Sequence, residues 1–424
     1  MTSTKGPFGN DPQDAAQVPA APVDGHGYGW TAAWTASPQR PGANWMPNWS
    51  EEGFTDHTVR QAVRLSAGGD ALRVRLCNHY GEGPLRIAGA TVAVTAGEGA
   101  VKPETLRELT VRGETAFAVP AGADLATDQV PFPTGAFDQV TVTMYLAVRS
   151  GPATYHSQAL ATAHRAPGDH RADADATAFT DTSESWYHLA GVDVAGARGS
   201  TEDGGHGGGT GGGTGGGIVV LGDSLVDGTG STFGTDHRYT DLLARRLAAA
   251  GRPRAVVNQG IGGNRVTVDS RYLGERATAR FAHDATAQPG ADTIVVLAGI
   301  NDIGISEVAD DSPFPILEPY PDVPAEAVIA GYQKMISQAR AAGLRTVGVT
   351  LLPMKGSDFS TPRSEAKRTA INTWLREPGH YDAVIDLAAA MGEALSPEHD
   401  SGDHLHPSDA GYEAMAAATG LTLL

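Results

Sequence analysis

The chain has 424 residues, enough for two domains that each bury a core of their own. Its 31 Lys and Arg against 49 Asp and Glu give a formal net charge of -18, which repels a phosphate backbone, so no nucleic-acid partner is expected. The single cysteine, Cys77, excludes an intrachain disulfide and a cysteine-based zinc site, and no segment approaches the roughly 20 apolar residues that a membrane-spanning helix needs.

Residues 1–27, "MTSTKGPFGNDPQDAAQVPAAPVDGHG", are polar and lack the apolar stretch of an export signal. They read as a disordered tail. The sequence as written is expected to be cytoplasmic, or secreted if its start codon is misassigned. From residue 28 to about 200 the apolar period is 2. In "TVRQAVRLS", Val59, Val63 and Leu65 share one face and Arg60 and Arg64 take the other; in "TVTMYLAV", Val142, Met144, Leu146 and Val148 alternate with Thr141, Thr143 and Tyr145. Such runs between Gly and Pro turns predict an all-β sandwich, jelly-roll-like, with Trp30 and Trp34 in its core. Trp45 and Trp49, in "NWMPNW", have two readings: exposed rings that stack on a sugar, or, more commonly, packing at a domain junction or in the core. This half shows no catalytic grouping of side chains.

Residues 201–217 read as a linker, with 11 glycines among the last 14. They lack the Lys-Ser/Thr pair of a phosphate loop. From 218 to 424 the rhythm becomes strand and helix in turn. The runs "IVVL", "RAVVN", "DTIVVLAG", "RTVGVTLL" and "DAVIDLA" predict five buried parallel strands. After Pro324, an apolar stripe of Val328, Ile329, Tyr332, Met335, Ile336 and Ala339 predicts a helix that Gly343 stops. The 22 residues from Ile303 to Pro324 hold five prolines and read as a long loop, a candidate pocket wall.

Four short blocks fall at the carboxyl ends of these strands or before the last helix, where α/β sheets carry their chemistry. They are "GDS" at 222–224, "NQGIGGNRV" after the second strand, "LAGINDIG" after the third, and "DSGDHLHPSDAGY" near the end. Each has a plainer reading. Ser224 and Ser408 suit helix caps, and the glycines suit a turn. The second block imitates a dinucleotide fingerprint, but Arg265 stands where the third glycine belongs. His399, Asp400, Asp403, His404 and His406 imitate a metal half-site, yet no second half-site accompanies them, so no metal and no cofactor is expected.

Taken together the blocks resemble the SGNH/GDSL hydrolase superfamily, and with the stretches "WTAAWTASPQ", "FTDHTVRQAVRLS" and "GDHLHPSDAGY" the whole chain resembles its two-domain bacterial members with an N-terminal β-sandwich. The resemblance implies a three-layer α/β/α, flavodoxin-like domain over 218–424. It implies Ser224 as nucleophile, with Asp403 and His406 as its partners. It also implies an oxyanion hole from Ser224, Gly263 and Asn301, the last in a block with Gly299 and Asp302. The residue types suit the chemistry. A serine hydroxyl needs a base to take its proton, imidazole titrates near neutrality, and a carboxylate fixes its tautomer. A glycine lets the backbone approach a developing oxyanion. The expected activity is hydrolysis of a small-molecule carboxylic ester through an acyl-enzyme, with a carbohydrate-linked or natural-product ester among the substrates. An acyltransferase using the same residues, and a non-catalytic carbohydrate-binding protein, are the alternatives. The poly-glycine insertion is the departure from the family pattern and leaves domain docking open.

Overall fold

The structure is a computed structural model that describes residues 29–196, 216–308 and 315–424. The tail expected over 1–27 and residues 201–215 of the expected linker lie outside the described residues. Among the described residues, two large antiparallel sheets and two small two-stranded ones make up the first half. In one large sheet, the strand Trp30–Thr35 pairs with Leu189–Ala195, then Gly69–Cys77, then Val130–Thr134; in the other, His57–Arg64 and Gln139–Leu146 are central. The alternating residues of both sheets meet in one apolar core that includes Val59, Val63, Leu72, Val142 and Val192.

The second face of the central strand pair is not a solvent face, contrary to a simple in/out pattern. Arg60 is only 1% exposed. Its guanidinium lies over the Phe179 ring and donates to the carbonyls of Gly99 and Asp175, so a polar side chain is buried by satisfying its donors. Thr141 and Thr143 are buried as well, whereas Val148 lies beyond the strand end at Leu146 and is exposed. Trp49 stacks on Tyr187 in the core, and Trp30 and Trp34 are half-buried near its edge.

The second half holds a five-stranded parallel sheet. In chain order its strands are Gly217–Gly222, Val256–Gly260, Ala291–Leu297, Arg345–Val349 and Ala383–Ile385, and in space they run second, first, third, fourth, fifth. The last residue assigned to the linker, Gly217, is thus the first of a strand. This order is the flavodoxin-like one. With right-handed crossovers, the reversal of direction at the first strand sends the following helix, Tyr239–Ala249, to one face and the later Ala325–Ala341 and Pro362–Arg376 helices to the other. Helix Asp409–Ala418 packs on the first of these helices, and the other two pack on each other. All six residues of the first strand are buried, which is why it reads as an uninterrupted apolar run.

The expected Ala325–Ala341 helix is present, with Val328, Tyr332, Met335, Ile336 and Ala339 buried and Gly343 at φ +73° past its end. The expected loop at 303–324 is partly helical: Ile300–Gly304 is α, and Ile305–Val308 and Pro315–Leu317 are single 3-10 turns.

The two halves dock through polar contacts. The Ala32 N–H donates to the Pro289 carbonyl (2.9 Å), the Thr35 hydroxyl to that of Asn258 (2.8 Å), and Arg75 to the Gln288 side chain (2.8 Å). His283 bridges Asp124 of the sandwich (2.7 Å) and its own neighbour Asp284 (2.6 Å).

Candidate active site

The second, first and third strands lie side by side, so the loops leaving them deliver Gly263, Ser224 and Asn301 to one edge of the sheet. Ser224 opens a four-residue helix, Ser224–Asp227. Asp223 caps it by accepting the Leu225 N–H (3.1 Å), and Gly228 ends it in the left-handed region. The strand must end in glycine: a Cβ on Gly222 would lie 2.2 Å from the Leu297 carbonyl oxygen. Asn301 follows Gly299, whose φ of +125° and 2.6 Å Cβ distance from the Tyr332 hydroxyl again admit only glycine.

His406 arrives from the other end of the chain, because the helix that follows it packs beside Tyr239–Ala249. Its Nε2 lies 2.9 Å from the Ser224 Oγ and its Nδ1 2.5 Å from an oxygen of Asp403. Burial raises the Asp403 carboxyl, but bonds from the His406 ring and from the N–H groups of His406 and Leu405 outweigh this and hold it below the usual carboxylate range. A carboxylate at Nδ1 places the ring proton there and leaves Nε2 free to accept from the serine hydroxyl. The loop is folded by Asp400, which accepts the N–H groups of Gly402 and His404 (both 2.9 Å) and pairs with the His404 ring. Ser408 caps the last helix, as expected. The histidine-rich stretch is thus divided into separate pairs: His404 faces Asp400, and His406 faces Asp403.

Gly263 adopts φ +74°, and a Cβ there would meet the Leu273 side chain at 2.8 Å. This glycine is therefore required by backbone conformation and packing. The Asn301 amide donates to the Asn264 carbonyl (3.1 Å), which fixes its orientation. Asp302 is buried and accepts from Val266 N (2.7 Å), Thr267 N and the Thr267 hydroxyl, and so holds the loop beside Gly263. All five residues named from the sequence as site residues (Ser224, Gly263, Asn301, Asp403 and His406) line one cavity of about 840 Å³. Its remaining wall includes Trp45, Met46 and Leu160 from the sandwich, and Leu317 and Phe359 from the other half. Trp45 and Trp49 thus separate: one faces the cavity, and the other is core.

Three side chains were not legible as parts of the site. Arg280 donates to the Gly222 carbonyl (2.8 Å), the Gln259 carbonyl (2.9 Å), the Asn264 side chain (3.1 Å) and the Ser37 hydroxyl (3.0 Å). Asp227 accepts the Gly262 N–H (2.8 Å), and His156 of the sandwich lies 3.0 Å from the other oxygen of that carboxylate. Only Asp227 stood near a recognised motif.

Residues 220–414 match the GDSL-like Lipase/Acylhydrolase family. The family match makes this half a carboxylic ester hydrolase. Among solved structures, the chain is similar to Axe2, an acetylxylan esterase from Geobacillus stearothermophilus, at 24% identity over 49% of this chain and 93% of that one, with a TM-score of 0.37. It is also similar to LAE5, an alpha/beta hydrolase enzyme from the metagenome of Lake Arreo, at 22% identity over 48% and 93% of the two chains (TM-score 0.37). A lipolytic protein of the G-D-S-L family from Desulfitobacterium hafniense DCB-2 is 18% identical over 47% and 95% (TM-score 0.35). No curated protein sequence matches.

Proposed function

We propose that the protein is a serine esterase working through an acyl-enzyme. The observation that carries this reading is the unbroken chain from Ser224 Oγ through His406 to Asp403. His406 takes the serine proton as Oγ attacks the ester carbonyl, and Asp403 stabilises the imidazolium that forms. The negative charge on the carbonyl oxygen is met by the N–H groups of Ser224 and Gly263 and by the Asn301 amide. His406 then returns the proton to the leaving alcohol. Water, deprotonated by the same ring, releases the acid and regenerates Ser224.

A cavity of about 840 Å³ is larger than an acetyl ester of a small alcohol needs. Its apolar wall at Trp45, Met46, Leu160 and Phe359 suits a substrate with a bulky apolar or aromatic group next to the ester. The test is hydrolysis of p-nitrophenyl acetate and of longer-chain and aryl esters by the full-length protein and by Ser224→Ala, with intact-mass detection of an acyl adduct. Loss of turnover and of the adduct in the variant is expected. An active Ser224→Ala variant would overturn the reading.

A further inference from the structure

We infer that His156, on the sandwich, is a positioning residue for the oxyanion loop and acts through Asp227; this rests on the reading of Gly263 as an oxyanion donor. His156 is 4% exposed and Asp227 3% exposed, so the pair is sealed inside the junction of the two halves. The ring's Nδ1 lies 3.0 Å from the Ser37 carbonyl and its Nε2 3.0 Å from an oxygen of Asp227. The Ser37 carbonyl can only accept, so Nδ1 carries a proton and donates it. A hydrogen bond at Nε2 then needs one further proton, which ring and carboxylate share. The second oxygen of Asp227 accepts the Gly262 N–H at 2.8 Å.

Asp227 is the last residue of the short helix that begins at Ser224, and Gly262 immediately precedes Gly263. One carboxylate therefore couples the helix carrying the nucleophile to the loop carrying an oxyanion donor, and its other oxygen is anchored to the sandwich. The coupling is tight. A Cβ on Gly260, at the start of that loop, would lie 2.2 Å from the Asp227 backbone nitrogen. The Asp227 carbonyl is held in turn by Arg238 Nε at 3.1 Å. Without the ring, the Asp227 carboxylate keeps Gly262 but loses its own fixed point, and Gly263 loses its set distance from Ser224. Misplacing a donor aimed at the transition state lowers kcat and leaves ground-state binding nearly untouched.

The experiment compares full-length wild type, His156→Ala, His156→Gln, Asp227→Asn and Ser224→Ala. It measures kcat and KM on p-nitrophenyl acetate, thermal unfolding, and affinity for an alkylboronic acid as a tetrahedral mimic. For His156→Ala a fall in kcat of about 10- to 100-fold is expected, with KM changed less than about threefold and boronate affinity falling in step with kcat/KM. A glutamine amide reaches the Nε2 position and can donate to Asp227, so His156→Gln should recover at least half of the lost kcat on a logarithmic scale. A kcat within twofold of wild type for His156→Ala would overturn the inference. So would a loss that follows the melting temperature and is not recovered by His156→Gln. If Ser224→Ala remains active, the esterase reading itself fails; if it is inactive while both His156 variants match wild type, only this inference fails.

Discussion

In the proposed mechanism, removing the Ser224 hydroxyl or the His406 ring interrupts the same proton path, because the two groups are joined at 2.9 Å. Each single alanine variant is therefore expected to lose at least ~10⁴-fold in kcat, and the double variant little more than either one. Steady-state kinetics of the three proteins check this, and losses that multiply would show two independent roles. Asp223, next in sequence, obeys a different rule. It is fully buried, and burial pushes its carboxyl up to about 7. The folded protein then holds a proton that the unfolded chain has released, so stability falls as pH rises from about 4 to about 7 and levels off above that. Asp223→Asn keeps the acceptor for the Leu225 N–H and removes the titration. Its melting temperature relative to wild type should rise across that window by the equivalent of a few kcal/mol, on the order of 1.4 per pH unit. A difference that stays constant from pH 4 to pH 8 would contradict this account.

The strands of the parallel sheet were legible because burial on both faces turns them into plain apolar runs, and the ends of the first three were marked by Gly, Ser and Asn. Boundaries shifted by only a residue or two at the first three. The loop at 303–324 was less legible: its start at Ile303 falls within the helix Ile300–Gly304, which begins inside the motif that carries Asn301. That element depends on the reversal at Gly299. Gly299→Ala must adopt φ +125° and press a methyl group toward the Tyr332 hydroxyl, a strain of roughly 2–3 kcal/mol. The expected result is a lower denaturation midpoint together with reduced kcat, since Asn301 lies two residues on. A variant with wild-type stability would show that the turn can relax without glycine. On the sandwich the alternation was legible, but the burial of Arg60 was not. Period-2 patterning says which residues share a face and is silent on what later segment covers it.

At the scale of the whole molecule, the junction was the least legible feature. Ser37, His156 and Asp124 were assigned no role from the sequence, and they reach their partners across 71 to 243 residues of sequence. One of these contacts is pH-sensitive. Burial lowers the pKa of His283, but the carboxylates of Asp124 and Asp284 on either side of the ring outweigh it and raise the value to about 10. Because the folded value is raised, the stabilisation is fully present below about 6.5 and is lost as pH rises through 10. Wild type should therefore lose stability between pH 7 and pH 10 relative to His283→Gln, and thermal unfolding followed over that range checks it. Parallel curves for the two proteins would remove His283 from the account of docking.

The order of the parts along the chain has a consequence for the protein while it is being made. The sandwich, with Ser37 and His156, leaves the ribosome first; Ser224, Gly263 and Asn301 follow, and His406 comes last. A nascent chain can therefore fold its scaffold before it owns His406, and every product that ends before that residue lacks the proton acceptor proposed for Ser224. In the proposed mechanism turnover requires His406 to reach Ser224 across 182 residues of sequence, so recovered activity reports that this long-range contact has formed.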